Sequence, residues 1–278
     1  MKQTGIVYVI NNNNGMKTIF FLVVLLLCVV DQTFSQIPID MGIKAGITMS
    51  GLLNGNSSGP VGRAYDLRLG DDAAVFTELF LSKHLSLPMQ LDYVSTGGKN
   101  AGYQPVAVPT GMKQLFATGQ MPEYVYADYK NEIVIKSIML SVLFKYRFNL
   151  STKLKCYTGV GAFSSFVVAA HKYTSGSSIV YLDEQHAQPV SSIPQNINSS
   201  QNIREDLNAF NRGITAFMGI AYKLKTGRVF IETGCNYGLY DIHRYRENGS
   251  NYSLATMLTT GYQFPFNYKH GNKKSMLQ

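Results

Sequence analysis

The stretch IMLSVLFKYRFNL, residues 138–150, combines an apolar strand pattern with two full charges. Successive side chains of a β-strand point to opposite faces, so residues two apart share a face. The even-numbered residues from Ile138 to Phe148 therefore form one apolar face, whereas Lys145 and Arg147 lie together on the other. The pattern predicts a strand with one apolar face and one polar face.

Seven further segments carry strand patterns, the first of them in DMGIKAGITMS, where apolar residues alternate with small or polar ones. The predicted strands cover residues 40–50, 75–82, 87–94, 133–148, 154–170, 214–224, 229–239 and 252–264. The links between them alternate between long and short, and the short ones are KHLS, NLSTK and KTG. Barrels of the bacterial outer membrane are built in this way, with tight turns at one end and extended loops at the other.

The sequence thus predicts an all-β fold, an eight-stranded antiparallel transmembrane up-and-down β-barrel. Its short turns would be periplasmic, its long loops extracellular, and its location the cell outer membrane. The parity of the strands indicates which charges face the interior. These are Lys44, Glu78, Asp92, Lys145, Arg147, Lys223 and Glu232. Because eight strands leave room only for side chains, we expect charge pairs in a filled lumen and not an open pore.

The fourth segment contains a break in the pattern. Ile133 and Ile135 are apolar on the odd register, whereas the apolar residues from Ile138 onward are even-numbered. The change predicts either a β-bulge or a strand that leaves the membrane near Lys136. Leu143 is also apolar on the face assigned to the interior.

The composition agrees with a strand-rich membrane protein. Charged residues make up only 15% of the chain, while it contains 18 Tyr, 15 Phe and 25 Gly. The formal net charge is +8, but the basic residues are scattered and form no long run, which argues against nucleic-acid binding. A basic surface that meets anionic lipid or lipopolysaccharide phosphates fits the same charge.

The N-terminal region has the three-part layout of a secretory signal peptide. From Met16, a lysine precedes an apolar run that ends at Val30, and the triplet TFS follows. The run is shorter than the about 17–25 residues of a spanning helix, although a membrane anchor is the alternative. We expect residues 1–35 to be the signal peptide, with Met16 as an alternative start, residues 36–266 the barrel domain and residues 267–278 a polar tail.

Several stretches resemble a known family. They are GIKAGITMSGL, LSLPMQLDYVSTGGK, SIMLSVLFKYRFNLSTKLKCYTGVGAF, GITAFMGIAYKLKTGRVFIETGCNYGLYDI and GYQFPF. Together they are similar to the PorT-like outer-membrane β-barrel proteins of Bacteroidetes, over about residues 40–266. The resemblance implies a small integral barrel that the barrel-insertion machinery recognises, and its namesake is associated with type IX protein secretion and gliding.

Residues for catalysis or cofactor binding do not stand out. None of the five histidines lies beside a serine or cysteine in a nucleophile motif, so we expect no enzyme and no cofactor. YLDEQH, residues 181–186, contains possible ligands for a cation, or is an ordinary solvent-exposed polar loop. His243, Arg244 and Arg246 form a small basic group that would meet lipopolysaccharide phosphates, or an ordinary solvated turn.

Three functional classes follow. The first, which the sequence favours, is a non-enzymatic barrel with a structural or partner-binding role in the envelope, since loops on a rigid scaffold commonly carry binding. Its partner would be a secretion-system subunit or another envelope component. The second is a small-solute channel or transporter, against which the charged lumen argues. The third is a membrane-embedded lipid-modifying enzyme, for which the Ser/His constellation is not visible.

Overall fold

The computed structural model describes residues 38–54, 66–108, 122, 124–244 and 251–266. Long antiparallel strands dominate these residues. They are β1 (Ile39–Asn54), β2 (Arg68–Phe80), β3 (Leu85–Ala107), β4 (Tyr124–Asn149), β5 (Leu154–Ser175), β9 (Phe210–Lys223), β10 (Arg228–Gly238) and β11 (Asn251–Phe266). Between β5 and β9 lie short elements: β6 (Ser177–Ser178), β7 (Gln195–Asn196), β8 (Ser199–Asn202) and a 3₁₀ turn (Arg204–Asp206).

The eight long strands form a closed ring. The order around it is β1–β2–β3–β4–β5–β9–β10–β11, and β11 returns to β1 along the whole length of both strands, from the pair Ile39 and Phe266 to the pair Asn54 and Asn251. Every neighbouring pair is antiparallel. The predicted fold, an eight-stranded antiparallel up-and-down barrel, is confirmed.

Large apolar side chains cover the outside of the ring. Their exposed fractions are high on opposite sides of the barrel, for example 52% at Ile47, 56% at Leu140 and 51% at Ile220. A soluble protein rarely exposes a continuous apolar surface of this size, whereas a membrane barrel turns such a band toward lipid. Tyr146 and Tyr222 lie exposed at the tight-turn end, where an interfacial girdle is expected.

The tight turns, residues 81–84, 150–153 and 224–227, all lie at one end of the barrel. The long connections lie at the other end, as predicted for the periplasmic and extracellular sides of an outer-membrane barrel. Among the residues that the structure describes, no helix is long and apolar enough to cross a membrane.

Four strands extend by five residues or more beyond their predicted ends on the extracellular side, and one of them, β2, begins at Arg68 where residue 75 was the predicted start. Residues 95–131 and 171–211 were expected to be loops, but β3 continues to Ala107, β4 begins at Tyr124 and β5 ends at Ser175. These extensions stand above the lipid, where neither face of a strand needs to be apolar. The alternation that marks a lipid-facing strand is therefore absent from them.

The break predicted near Lys136 has a clear structural origin. The register between β4 and β5 shifts there, because Lys136 pairs with Ala169 while Ser137 pairs with Val167. The extra residue, Val168, lies in β5, so the bulge is in the partner strand and the parity of β4 continues unbroken. Ile133 keeps its inward direction and is buried above the membrane level.

Aromatic side chains fill the interior by lying against glycines of the neighbouring strand. Phe76 faces Gly42 across the β1–β2 pair, and Phe230 faces Gly261 across β10–β11. The β5–β9 pair repeats the arrangement three times, with Phe217 opposite Gly159, Tyr157 opposite Gly219 and Phe163 opposite Gly213. A Cβ atom at any of these glycines would lie within 2.5 Å of a ring carbon. Glycine is therefore required wherever a ring crosses the neighbouring backbone.

We expect Gly42→Ala to destabilise the barrel. Its Cβ would lie 2.3 Å from the Cζ of Phe76, so the ring would have to leave its place in a packed interior. The loss should be about 1–3 kcal/mol, measured by urea unfolding in lipid vesicles. Ala45→Val is the matched control, because Ala45 lies on the same strand and points outward. Equal stability of both variants and the parent would contradict the prediction, because it would show that the interior can accommodate a Cβ atom beside Phe76.

Candidate functional site

Glu78 is the centre of the charge cluster nearest the periplasm. Its side chain is fully buried, yet both carboxylate oxygens have partners. Lys145 Nζ lies 3.1 Å from Oε2 and Arg147 Nη1 lies 3.2 Å from Oε1. Ser86 Oγ donates to Oε1 at 2.5 Å, and Gln263 Nε2 donates to Oε2 at 2.6 Å. Lys145 and Arg147, which lie on one face of the stretch 138–150, thus share the single carboxylate of Glu78.

A second cluster, around Lys44, carries more acid than base. Lys44 Nζ lies 3.0 Å from Glu232 Oε1 and 3.9 Å from Asp92 Oδ1. Asp72 also acts on Lys44 electrostatically, so three carboxylates surround one ammonium group. Within the described residues, neither carboxylate oxygen of Asp72 or Asp92 has a hydrogen-bond partner, although both side chains are buried. The cluster therefore contains more acidic than basic side chains, and two of its buried carboxyl groups lack hydrogen bonds from the described residues, which is energetically unfavourable.

Lys223 is the predicted interior charge that the structure does not bring into either cluster. It has the parity of the inner face, but it lies at the last position of β9 and is exposed. Parity predicts the face of a strand and not the height along the barrel axis. In its place, Arg228 on β10 forms an ion pair with Asp40 on β1, at the same end of the barrel.

The lumen contains little free space. A cavity of about 20 Å³ lies between the two charge clusters and is lined by Lys44, Lys145 and Glu232 together with aromatic rings. That volume holds about one water molecule. Toward the extracellular side, an apolar cluster covers the interior; it consists of Leu52, Ile133, Ile135, Val167, Ala170, Leu207 and Ile242. Leu207 and Ile242 belong to the loops, so these loops pack into the barrel mouth.

The extracellular extensions of β3, β4 and β5 carry an ordered platform. The connection 176–209 folds back onto β4, where Tyr181 exchanges both backbone hydrogen bonds with Tyr126, at 2.8 Å each. A separate apolar cluster holds the platform together; it consists of Val125, Ala127, Tyr129, Val180 and Ile197. The loop is therefore a packed structure and presents a fixed outer surface.

The stretch YLDEQH forms part of this platform. His186 stacks on Tyr103 with ring centroids 3.8 Å apart, and Tyr103 donates a hydrogen bond of 2.7 Å to the carbonyl oxygen of Asp183. The Asp183 carboxylate accepts from the backbone N–H groups of Ala187 and Gln188, which lowers its pKa. His186 adopts a positive φ of 62°, uncommon outside glycine. Within the described residues, no group of three acidic, His or Cys side chains is arranged to hold a metal ion.

The basic group predicted at residues 243–246 is only partly described. His243 is half-buried; its backbone N–H donates to the Asp241 carboxylate, its carbonyl oxygen accepts from Asn208, and its Nε2 lies 2.8 Å from Asn251 Nδ2. Burial lowers the pKa of its imidazole. Arg244 is exposed, and Arg246 lies outside the described residues, as do the predicted signal peptide 1–35 and tail 267–278. His243 thus fixes the loop, and its role toward lipopolysaccharide stays a prediction.

The sequence pattern did not predict several charged residues that the structure places in or near these clusters. Asp72 lies on the same face of β2 as Glu78. The predicted strand begins only at Val75, so the sequence pattern does not assign Asp72 to a face. Asp40 was within a predicted strand and had the inward parity of Lys44, a signal that would have found it. At the extracellular rim, Arg68 pairs with Glu132 at 2.7 Å, in segments that lack a lipid-facing pattern.

A family model described as the outer membrane protein beta-barrel domain matches residues 31–244 of this chain. The chain belongs to this outer membrane β-barrel family. Its location is accordingly the outer membrane, which confirms the prediction. No curated protein sequence matches the chain.

Solved structures with similar folds are also outer-membrane barrels. The Neisserial surface protein NspA has 13% identity and a TM-score of 0.37, with 81% of this chain and 97% of that chain covered. OprG from Pseudomonas aeruginosa has 10% identity and a TM-score of 0.36, covering 81% and 95%. The outer membrane protease OmpT from Escherichia coli has 10% identity and a TM-score of 0.41, covering 82% and 97%. At this level of similarity they carry no argument about this chain.

The two clusters predict opposite responses to neutralisation of a buried acid. Glu78→Gln leaves Lys145 and Arg147 without their counter-charge and should destabilise the barrel by about 3–5 kcal/mol. Asp72→Asn removes one of three carboxylates around a single lysine and should leave stability unchanged or raise it. Both residues are buried on β2, so each variant is a matched control for the other. Urea unfolding in lipid vesicles measures both, and similar losses would contradict the assigned pairing.

Proposed function

We propose that this outer-membrane barrel is a non-enzymatic, partner-binding component of the cell envelope that acts through its extracellular platform. The observation that carries the proposal is the contrast between its two halves. Between the two charge clusters the interior holds ion pairs and aromatic rings around a cavity of about 20 Å³, whereas the described extracellular part is a packed and outward-facing structure. Binding sites on rigid scaffolds are commonly built in this way.

The partner proposed for the platform is another protein of the cell envelope. The resemblance to PorT-like proteins favours a subunit of the protein secretion machinery, and anionic lipopolysaccharide is expected around the barrel. Ile193 marks a candidate contact, because this apolar residue lies on the platform loop with 68% of its surface exposed. A probe at this outward-facing position lies within reach of a protein that binds the platform.

A site-specific photo-crosslinker tests this role. Placed at Ile193 in the native envelope, it should capture an envelope protein, to be identified by mass spectrometry. The same crosslinker at Leu91, which faces lipid on β3, is the matched control and should capture no such protein. The same protein captured at both positions, or none at either, would contradict platform binding. An unrelated envelope protein captured at Ile193 alone would contradict only the link to secretion.

The alternative role as a channel makes a distinct prediction. With the lumen filled between the two charge clusters, we expect purified protein in planar bilayers to give no stepwise ionic current above the bare membrane. Phe217→Ala together with Phe230→Ala enlarges the 20 Å³ cavity and should also give no current, because the apolar cluster at the extracellular mouth still covers the interior. Stable conductance steps from the unaltered protein would favour a channel instead.

A further inference from the structure

The periplasmic mouth of the barrel carries a row of positive side chains, which we name the cationic arc. It consists of Arg147 on β4, Lys155 on β5, Lys223 on β9 and Arg228 on β10, four strands that are consecutive around the ring. Lys223 and Arg228 are directly paired, Lys155 pairs with Ala221 two residues before Lys223, and Arg147 pairs with Tyr157 two residues after Lys155. All four have the parity of the inner face.

The arc is only partly neutralised by the described part of the chain. Arg147 shares Glu78 with Lys145, and Arg228 pairs with Asp40. Both of these acidic residues are therefore already in ion pairs. Lys155 and Lys223 have no ion pair within the described residues, and the charges of Arg228, Arg147 and Lys223 all act on Lys155. Like charges directly opposite on a sheet are destabilising. The three tight turns add Lys83, Lys153 and Lys225 and contain no acidic residue.

The position of the arc determines what can reach it. By strand parity Lys155 and Lys223 lie on the inner side of the strand ends, whereas the outer face of the same strand ends carries the aromatic girdle of Tyr146, Phe148 and Tyr222. A lipid headgroup lies outside the strand wall, on the girdle side. A soluble anion in the periplasm can approach the opening along the barrel axis. Lys223 and, in part, Lys155 are thus accessible from the periplasm on the side away from the girdle, whereas Arg147 is buried beside Glu78.

We propose that the periplasmic mouth binds an acidic segment of a periplasmic protein, with Lys155 and Lys223 as its principal contacts. Neighbouring strands are about 4.8 Å apart, so the arc spans roughly 14 Å across three strand intervals. An extended peptide of about five residues covers that length and can present several carboxylates. This surface lies at the opposite end of the barrel from the platform, and the inference holds whatever binds there.

Fluorescence anisotropy with labelled hexaglutamate tests the proposal on the full-length mature barrel in zwitterionic detergent. We expect saturable binding that weakens as salt is raised. The double variant Lys155→Gln with Lys223→Gln should lower the affinity about tenfold, since each exposed charge pair contributes modestly. The matched control is Lys130→Gln with Lys136→Gln, two exposed lysines on the extracellular side of β4, which should leave the affinity unchanged.

Three results would overturn the proposal: no saturable binding at low salt, equal loss in both double variants, or binding of short-chain phosphatidylglycerol in place of hexaglutamate. Folding is followed by the shift in gel mobility on heating. Should the double variant not fold, Lys223→Gln alone decides, because that side chain is exposed and should lower the affinity about threefold. An unchanged affinity in that single variant would equally count against the arc.

Discussion

Inside a bilayer, a strand can satisfy its backbone N–H and C=O groups only by pairing with other strands, so the sheet has to close on itself. Closure here occurs between β11 and β1, whose pairing runs from the tight-turn end to the extracellular end. The remaining features of the molecule follow from that ring. With eight strands its interior is narrow, and each inward side chain must fit among residues from the opposite wall.

The narrow interior accounts for both the glycines and the charges. Rings such as Phe76 and Phe217 lie flat across a neighbouring strand only because glycine faces them. Buried charges are tolerated because partners from distant parts of the chain reach them, as Glu78 on β2 does for Lys145 on β4. The cluster around Lys44 departs from this balance, with an excess of carboxylates. One lumen therefore contains a cluster with well-paired charges, around Glu78, and a cluster with more acidic than basic groups, around Lys44.

Strand parity predicted much of this interior because lipid imposes a strict alternation on every spanning segment. Lys145 and Arg147 could be placed inside from their spacing alone. Parity carries no information on height, which is why Lys223 was expected in the lumen and lies at its rim. The extracellular platform could not be predicted, because the extension of β4 turns its apolar residues, such as Val125 and Ala127, inward and lacks the outward apolar face that lipid imposes on a spanning strand. Contacts such as Tyr103 with His186 depend on loop folding that no local pattern encodes.

The seam between β1 and β11 joins the two ends of the barrel domain, and the ion pair between Lys44 and Glu232 links residues 188 positions apart. Contacts of such high sequence separation form late, because a long stretch of chain must be ordered first. Until β11 arrives, the nascent sheet has two unpaired edges, each able to add strands from another molecule. Pairing of β11 with β1 removes both edges in one step, so closure of the ring is also what protects the sheet from pairing with another molecule.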